Sequence, residues 1–200
     1  GIDINAGGCH YNWTGSLAAG AGTAGDVLAA IDHVILQTKQ ASWEELLAAL
    51  SADWKGYEAL RQKCLRAPKY GTDNDFADAW TKRLLDLFFA VYEAHPTPRG
   101  GHYVCGLISM ASYLPLGKDT GATPDGRRAG EPLSDATSPS PLSPALGPTA
   151  AHRSATKAID AIHTPNGVTF NQKFNVAAVQ SERELSKWAD LVRTYIEDGG

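Results

Sequence analysis

Proline and glycine divide this chain more sharply than any other residues do. Eight of its eleven prolines fall between Pro115 and Pro165, among residues that are mostly glycine, serine, threonine and aspartate. Proline fixes φ and cannot donate a backbone hydrogen bond, so helices and central strands do not run through such a stretch. Residues 115–167 are therefore expected to form a long loop, with one helical turn over residues 149–159. A loop of this length inside a compact domain is as a rule functional or disordered.

Apolar residues on both sides of this loop recur with the spacing of regular structure. Spacings of three and four predict helices, and apolar runs bounded by glycine or proline predict buried strands. Predicted helices cover residues 26–37, 42–51, 57–65, 74–94 and 181–198. Predicted strands cover residues 1–8, 103–114 and 168–174, and a glycine-rich turn is expected over residues 15–25. This order predicts an α/β fold that is helix-rich, with a few buried strands and a long ordered loop.

Two of the predicted helices begin with a recognisable cap. Ser42 is followed by Glu45, and Ser181 is followed by Glu184. In this arrangement the serine hydroxyl accepts from the amide three residues on, and the glutamate reaches back to the serine amide.

Charge and composition exclude several classes of function. The 200 residues include 18 basic and 22 acidic side chains, and the basic residues never form a block, so nucleic acid is not an expected partner. No apolar run approaches the ~18–20 residues that cross a bilayer, and the N-terminus lacks the pattern of a signal peptide. We therefore expect no membrane association and a cytoplasmic location.

The three cysteines also fit a reducing cytoplasm. Cys9, Cys64 and Cys105 form no CxxC pair, and the six histidines bring no complete set of metal ligands near them. A buried cysteine is more often a small apolar residue than a nucleophile. The sequence also contains no GxSxG, HExxH or P-loop motif. We therefore expect no bound metal.

One glycine motif suggests nucleotide binding but lacks its context. Gly20, Gly22 and Gly25 match GxGxxG before a helix, the pattern that brings a helix N-terminus to a pyrophosphate. No well-formed strand is predicted before it, and the acidic residues that follow lie inside a helix. The glycines are therefore expected to serve a structural turn.

Two polar segments in the second half leave their role open. Residues 121–133 are dense in turn formers and would be a surface loop on composition alone. Residues 171–173 place asparagine, glutamine and lysine in an otherwise apolar predicted strand. Buried polar groups need partners, so these three side chains belong either to a hydrogen-bond network between elements or to the wall of a substrate pocket.

Seven short segments, taken in order, resemble one protein family. They are GCHYNWTG at residues 8–15, GDVLAAI at 25–31, APKYGTDND at 67–75, PRGG at 98–101, PLGK at 115–118, GATPDGRRAGEPLSD at 121–135 and NQKF at 171–174. Together they resemble the glycyl radical enzymes, in the branch of glycerol and diol dehydratases, choline trimethylamine-lyase and hydroxyproline dehydratase. That branch is described broadly as formate C-acetyltransferase or pyruvate formate-lyase-like. The resemblance covers nearly the whole chain.

The resemblance implies a fold and a catalytic mechanism. It implies a ten-stranded α/β barrel wrapped in helices, of which residues 1–200 would be a partial C-terminal half-barrel. The family carries a radical glycine in an RVxGY-type loop and a thiyl cysteine in a GCxE-type loop, and neither motif occurs here. The chain alone is thus expected to be inactive, with the glycyl radical lying outside it and no catalytic role for its cysteines. The resemblance also implies that no metal or organic cofactor is bound by this chain. The alternative is a non-catalytic interaction or scaffold module.

The resemblance also implies partners. These are the remainder of the parent enzyme, a radical S-adenosylmethionine activating enzyme, a small-molecule substrate, and a second copy in a homodimer. The parent would abstract a hydrogen atom from a small polar substrate under anaerobic conditions.

Candidate substrate-binding residues lie on the predicted strand over residues 107–114. In the family the equivalent strand contributes pocket side chains, and alternation lets only one set face inward. Met110, Ser112 and Leu114 are the favoured set, with Tyr113 replacing them if a bulge intervenes; plain core packing is the alternative. The segment holds no arginine or lysine, which argues against an anionic substrate clamped by this strand.

Asp125 and Arg127 are the candidate structural residues of the loop over residues 121–134. A loop held only by glycine and proline has little to fix it, so we expect these two side chains to make its main polar contacts.

Overall fold

The fold is helix-rich with a small parallel sheet. The computed structural model describes the backbone of residues 1–200 and the side chains of all but residues 177 and 178. The elements in order are β1 (Thr14–Leu17), α1 (Ala21–Ile31), α2 (Trp43–Ser51), α3 (Glu58–Arg66), α4 (Asp75–Glu93), β2 (Tyr103–Gly106), α5 (Tyr113–Asp119), α6 (Pro148–Ala158) and α7 (Glu182–Glu197). A π-helical segment, Asp32–Gln37, extends α1, and short 3-10 turns cover Ile4–Ala6, Ala161–His163 and Val176–Val179.

The helices begin where side chains can cap them. The Ser42 hydroxyl accepts from the Glu45 amide at 3.2 Å, which is the serine half of the predicted capping box. At α7 both halves of the box between Ser181 and Glu184 are present. Asn74 caps α4 by accepting from two amides of its first turn. The five predicted helices are confirmed, with bounds that differ by a few residues.

The sheet consists of two parallel strands and one further bridge. β1 pairs with β2 in the register Thr14 to Tyr103 through Leu17 to Gly106, and Leu107 forms a parallel bridge with Val168. One face of the sheet rests on α4. On that side Cys105 and Leu107 pack with Leu85 and Phe89 of α4.

The glycines of the GxGxxG motif serve helix packing and a turn. Gly20 precedes α1 with φ of 82°, a conformation that glycine adopts without strain. At Gly25 an added Cβ would lie 2.0 Å from the hydroxyl oxygen of Thr81, so only glycine lets α1 approach α4 this closely.

A second core lies between the first three helices. Buried side chains of α1, its π-helical extension, α2 and α3 pack around Trp54, whose indole nitrogen donates to the carbonyl of Arg127 at 3.0 Å. The first half of the chain thereby holds the proline-rich second half.

Two predictions near the N-terminus are wrong. Residues 1–8 form a 3-10 turn instead of a strand, because the Asp3 carboxylate accepts from the Asn5 amide and Gly7 turns the chain with φ of 91°. The expected glycine turn over residues 15–25 contains β1 and the first turn of α1. β1 is short and alternates between half-buried and exposed residues, so its apolar signal is weak.

The predicted strands of the second half are too long. β2 ends at Gly106, and the chain then turns at Met110 and Ala111, whose φ angles are 45° and 65°. The segment predicted as a strand over residues 168–174 forms only the bridge at Val168.

The predicted long loop contains two helices. α5 opens two residues before Pro115, in the first turn where proline costs no hydrogen bond. α6 begins at Pro148, the favoured first helical position. It is three turns long, where one turn was predicted. In the part of the chain that the structure describes, no helix is both long and apolar enough to span a membrane.

Candidate functional site

The carboxyl ends of the parallel strands meet at one edge of the sheet. The Ala18 amide donates to the Gly106 carbonyl at 2.9 Å, and the Thr169 amide donates to the Leu107 carbonyl at 3.2 Å. The segments that leave the sheet at this edge are residues 18–20, 107–112 and 169–172. In parallel α/β folds this is the edge where ligands bind.

The face of the sheet turned away from α4 is built with little side-chain bulk. A Cβ added at Gly15 would lie 2.5 Å from the side-chain nitrogen of Asn166, and one added at Gly106 would lie 3.0 Å from the Leu17 side chain. Leu17 itself is about half exposed. Glycine at these two positions therefore lets residues 166 and 167 lie close against this face, and Leu17 is its exposed part.

Residues 107–112, called here the Met110 turn, project from β2 at the carboxyl edge. Leu107 and Ser109 are buried at its base, whereas the Met110 side chain is 79% exposed at its tip. The Ser112 amide donates to the Ser109 carbonyl at 2.7 Å, and the Ser112 hydroxyl donates to the same carbonyl. Both bonds close the turn.

Met110, Ser112 and Leu114, the favoured substrate-binding set, therefore do not share one strand face. Met110 lies at the tip of the turn, and the hydroxyl of Ser112 is turned back onto the chain. Tyr113 and Leu114 form the first turn of α5, where Leu114 is about half exposed. Strand alternation was the wrong argument for this segment, because the hydrogen bonds to the Ser109 carbonyl reverse the chain. Their role in a pocket wall stays a prediction.

Asp135, which the sequence analysis did not identify as a site residue, is hydrogen-bonded to the base of this turn. One carboxylate oxygen of Asp135 accepts from the Ser109 hydroxyl, and the other accepts from the Asn171 side-chain nitrogen at 2.8 Å. Asn171 is exposed, so its bond to Asp135 lies at the surface and is not the buried network that was one of the two alternatives. Asp135 gave no local signal in the sequence, because both of these partners are distant in the chain.

Residues 117–131, called here the Arg127 loop, close around one buried guanidinium. Arg127 is 1% exposed, and its Nε donates to the Thr123 hydroxyl at 3.2 Å. The two terminal nitrogens donate only to carbonyl oxygens, those of Gly117, Thr120, Gly121, Arg128 and Glu131. One side chain thereby satisfies the backbone of a loop that has no regular structure of its own for most of its length.

Asp125 is the second polar anchor of the Arg127 loop. Its carboxylate accepts from the Thr123 hydroxyl at 2.5 Å and from the Arg127 amide at 3.4 Å. Burial raises the pKa of Asp125 and lowers the pKa of Arg127. Both candidate loop residues thus lie inside the molecule.

A further buried pair links α1 to the following loops. Asp26 accepts from the Tyr70 amide at 2.6 Å and from the Ser143 hydroxyl at 3.2 Å, and burial raises the pKa of Asp26 to about 8. The Lys69 amine donates to the Cys64 carbonyl at 2.7 Å, and burial lowers the pKa of Lys69. The sequence analysis did not identify these two residues, because the bonds of Asp26 join distant segments and the burial of Lys69 leaves no local pattern.

Cys64 and Cys105 are buried free thiols, and Cys9 is an exposed one. Burial raises the pKa of both Cys64 and Cys105 to about 11, so these thiols stay protonated at neutral pH. Among the residues that the structure describes, no three His, Cys, Asp or Glu side chains come together as metal ligands. The polar groups present suit shaping a pocket and holding loops.

Comparison with known proteins gives these features a context. The family model described as "Pyruvate formate lyase-like" matches residues 1–117. The probable dehydratase YbiW of Escherichia coli is 36% identical over 97% of this chain, and the trans-4-hydroxy-L-proline dehydratase of Clostridioides difficile is 35% identical over all of it. The chain spans 25% of the length of each of these relatives.

The fold comparison agrees. The glycerol-bound structure of the B12-independent glycerol dehydratase from Clostridium butyricum superposes on 98% of this chain with a TM-score of 0.95 and 34% identity, and the match covers 25% of that enzyme.

Proposed function

Because this chain belongs to the pyruvate formate lyase-like family of glycyl radical enzymes, we propose that it builds part of the barrel around the active site of a dehydratase- or lyase-type enzyme. The enzyme starts its reaction by abstracting a hydrogen atom from a small polar substrate. The observation that carries the proposal is the parallel sheet, which rests on α4 on one face and presents the Met110 turn at its carboxyl edge.

In this proposal the chain forms part of the wall of the active-site cavity, and other parts of the polypeptide contain the reacting groups. The radical glycine and the thiyl cysteine of the family stand in motifs that this sequence does not contain. Hydrogen abstraction depends on holding the reacting atoms together and on keeping water away from the radical. The chain would contribute two barrel strands and the Met110 turn to that cavity, within a partial C-terminal half-barrel over residues 1–200.

The same proposal includes the partners of the whole enzyme. It acts as a cytoplasmic homodimer, and a separate radical S-adenosylmethionine enzyme activates it. No metal or organic cofactor is assigned to this chain.

Neutral diols and triols suit the Met110 turn better than anions do. The turn and the start of α5, residues 107–117, contain no arginine or lysine. A buried anion requires a cationic partner with a fork of donors or an equivalent charge. The side chains in this segment offer instead a thioether, hydroxyls and apolar surface.

The proposal is tested on the product of the full coding sequence, expressed with its activating enzyme under anaerobic conditions. Electron paramagnetic resonance is expected to show a glycyl-type doublet, and glycerol, propane-1,2-diol and trans-4-hydroxy-L-proline serve as substrate probes. Residues 1–200 alone, treated identically, are the control and are expected to acquire no radical. A full-length protein that acquires no radical and turns over no probe would contradict the proposal and favour a scaffold module.

A further inference from the structure

Residues 134–137 cross the molecule beneath the carboxyl edge of the sheet and are fixed at both ends. Ser134 and Thr23 exchange two buried hydrogen bonds, each between the amide of one and the hydroxyl of the other, at 2.8 and 3.0 Å. At the other end the Thr137 amide and hydroxyl both donate to the Thr169 carbonyl, at 3.2 and 2.7 Å. The segment therefore has little freedom to move.

The backbone between these two ends is strained at Ala136, the residue that follows Asp135. Ala136 is fully buried and has φ of 47°, a left-handed conformation that costs a non-glycine residue about 1 kcal/mol. That conformation reverses the chain between Asp135 and Thr137, so the two residues bond different parts of the edge. Strain of this kind persists only where the surroundings fix it.

The Asp135 carboxylate joins the two segments that leave the sheet beside each other. The Ser109 hydroxyl lies 26 residues before it and the Asn171 amide nitrogen 36 residues after it. Ser109 is in turn the acceptor that closes the Met110 turn through the Ser112 amide and hydroxyl. A continuous set of hydrogen bonds therefore runs from Asn171 through Asp135 to the turn that exposes Met110.

We propose that Asp135 is a positioning residue for the reaction, which acts through Ser109 and Asn171 to set the shape of the pocket wall at the Met110 turn. This inference rests on the proposed function, because the wall needs a substrate to face. Asp135 touches no reacting atom in this role. Its carboxylate instead fixes how far the Met110 turn stands from the segment that contains Asn171.

The chemistry of the Asp135 and Asn171 pair allows a reciprocal test. Asp135→Asn removes one acceptor and places two amide groups face to face, and Asn171→Asp places two carboxylates face to face. The double variant Asp135→Asn with Asn171→Asp restores the bond in reverse, since the new asparagine accepts from Ser109 and donates to the new aspartate. Asp119→Asn, at the exposed end of α5, is the matched control.

Kinetics of the activated full-length enzyme provide the first measurement, with glycerol, propane-1,2-diol and trans-4-hydroxy-L-proline as probes. Each single variant is expected to lose about tenfold in kcat/KM, as for one charge-assisted hydrogen bond, and mainly through KM. The double variant is expected to recover most of that loss, and the control to match the wild type. An active wild type whose Asp135→Asn variant keeps its kcat/KM, or whose double variant recovers nothing, would overturn the inference alone.

Hydrogen exchange provides the second measurement on the same proteins. The Ser112 amide is expected to exchange faster in Asp135→Asn and to return to the wild-type rate in the double variant. If the full-length wild type acquires no radical and turns over none of the probes, the proposed function fails, and the wall-positioning role fails with it. In that case, faster exchange of the Ser112 amide in Asp135→Asn would show only that Asp135 stabilises the Met110 turn.

Discussion

The Arg127 loop and the Met110 turn are close in sequence, yet they are built in opposite ways. The Arg127 loop turns inward, and its central side chain is buried among carbonyl oxygens that it binds. The Met110 turn is closed by hydrogen bonds to the Ser109 carbonyl, and its central side chain is exposed. A segment without regular structure can therefore belong to the core or to the surface of the protein. What decides between the two is whether a polar side chain at the centre satisfies the surrounding backbone.

The difference separates a fixed scaffold from a surface on which side chains can change. A substitution inside the Arg127 loop leaves buried acceptors without a donor, which is costly. A substitution at the tip of the Met110 turn removes few contacts. If this contrast holds, stability and substrate selection depend on different residues of the same region.

Removing the buried guanidinium is the strongest way to break the contrast. Arg127→Ala is expected to lower the free energy of unfolding by about 3 kcal/mol or more, because several buried carbonyls lose their donor. Denaturant unfolding of the full-length enzyme measures the change. Arg128→Ala, which removes a half-buried neighbour bonded to the Asp53 carbonyl, is the control and is expected to cost about 1 kcal/mol. Equal losses for the two variants would show that the loop does not depend on its central arginine.

The buried carboxyl of Asp26 gives a second prediction, which concerns how the stability of the scaffold depends on pH. Burial raises the pKa of Asp26 from an ordinary 3.8 to about 8, so the folded state binds a proton that the unfolded state releases. The contribution of this carboxyl to stability is full below pH 3.8 and is lost as the pH rises towards 8. Asp26→Asn can still accept from the Tyr70 amide and cannot titrate.

Stability curves from pH 4 to pH 9 measure this effect. The wild type is expected to lose stability relative to Asp26→Asn across that range, by up to ~1.4 kcal/mol per pH unit for one proton. Met110→Ala should follow the wild-type curve, since it leaves the scaffold intact. Parallel curves for wild type and Asp26→Asn would mean that Asp26 is ionised in the folded protein.

The smallest effect on stability is expected at the tip of the Met110 turn. Met110→Ala should change the free energy of unfolding by less than ~0.5 kcal/mol, because an exposed side chain loses little contact on truncation. The same variant should change the relative KM values of glycerol and propane-1,2-diol in the activated enzyme. Leu107→Ala, at the buried base of the turn, is the control and should cost about 2–5 kcal/mol. An unaltered KM ratio would remove Met110 from the pocket wall.

The parts of the fold that the sequence predicts well depend on contacts between residues that are close in the chain. The helices from Trp43, Asp75 and Glu182 begin at caps whose partners lie two or three residues away. Family resemblance, confirmed by the relatives and the matching fold, came from short segments that keep their order. Asp125 and Arg127 were found because a turn-rich loop requires polar anchors.

Contacts between distant residues account for what the sequence did not reveal. The run over residues 107–114 has no periodicity that separates a strand from a turn followed by a helix, and Ser109 at the base of the turn bonds Asp135, which lies 26 residues later. Asp26 and Lys69 carry no pattern of their own, since their roles depend on burial by segments that are far away in the chain. β1 is too short and too exposed for an apolar signal.

The contacts of the Arg127 side chain have a further consequence for the order in which the chain folds. Every partner of that side chain lies within ten residues of it, so closing these contacts costs little chain entropy. The bond from the Trp54 indole to the Arg127 carbonyl spans 73 residues. Local contacts form faster than such distant ones. The loop can thus assemble as a small unit first and then dock as a finished piece onto the helices that come before it in the chain.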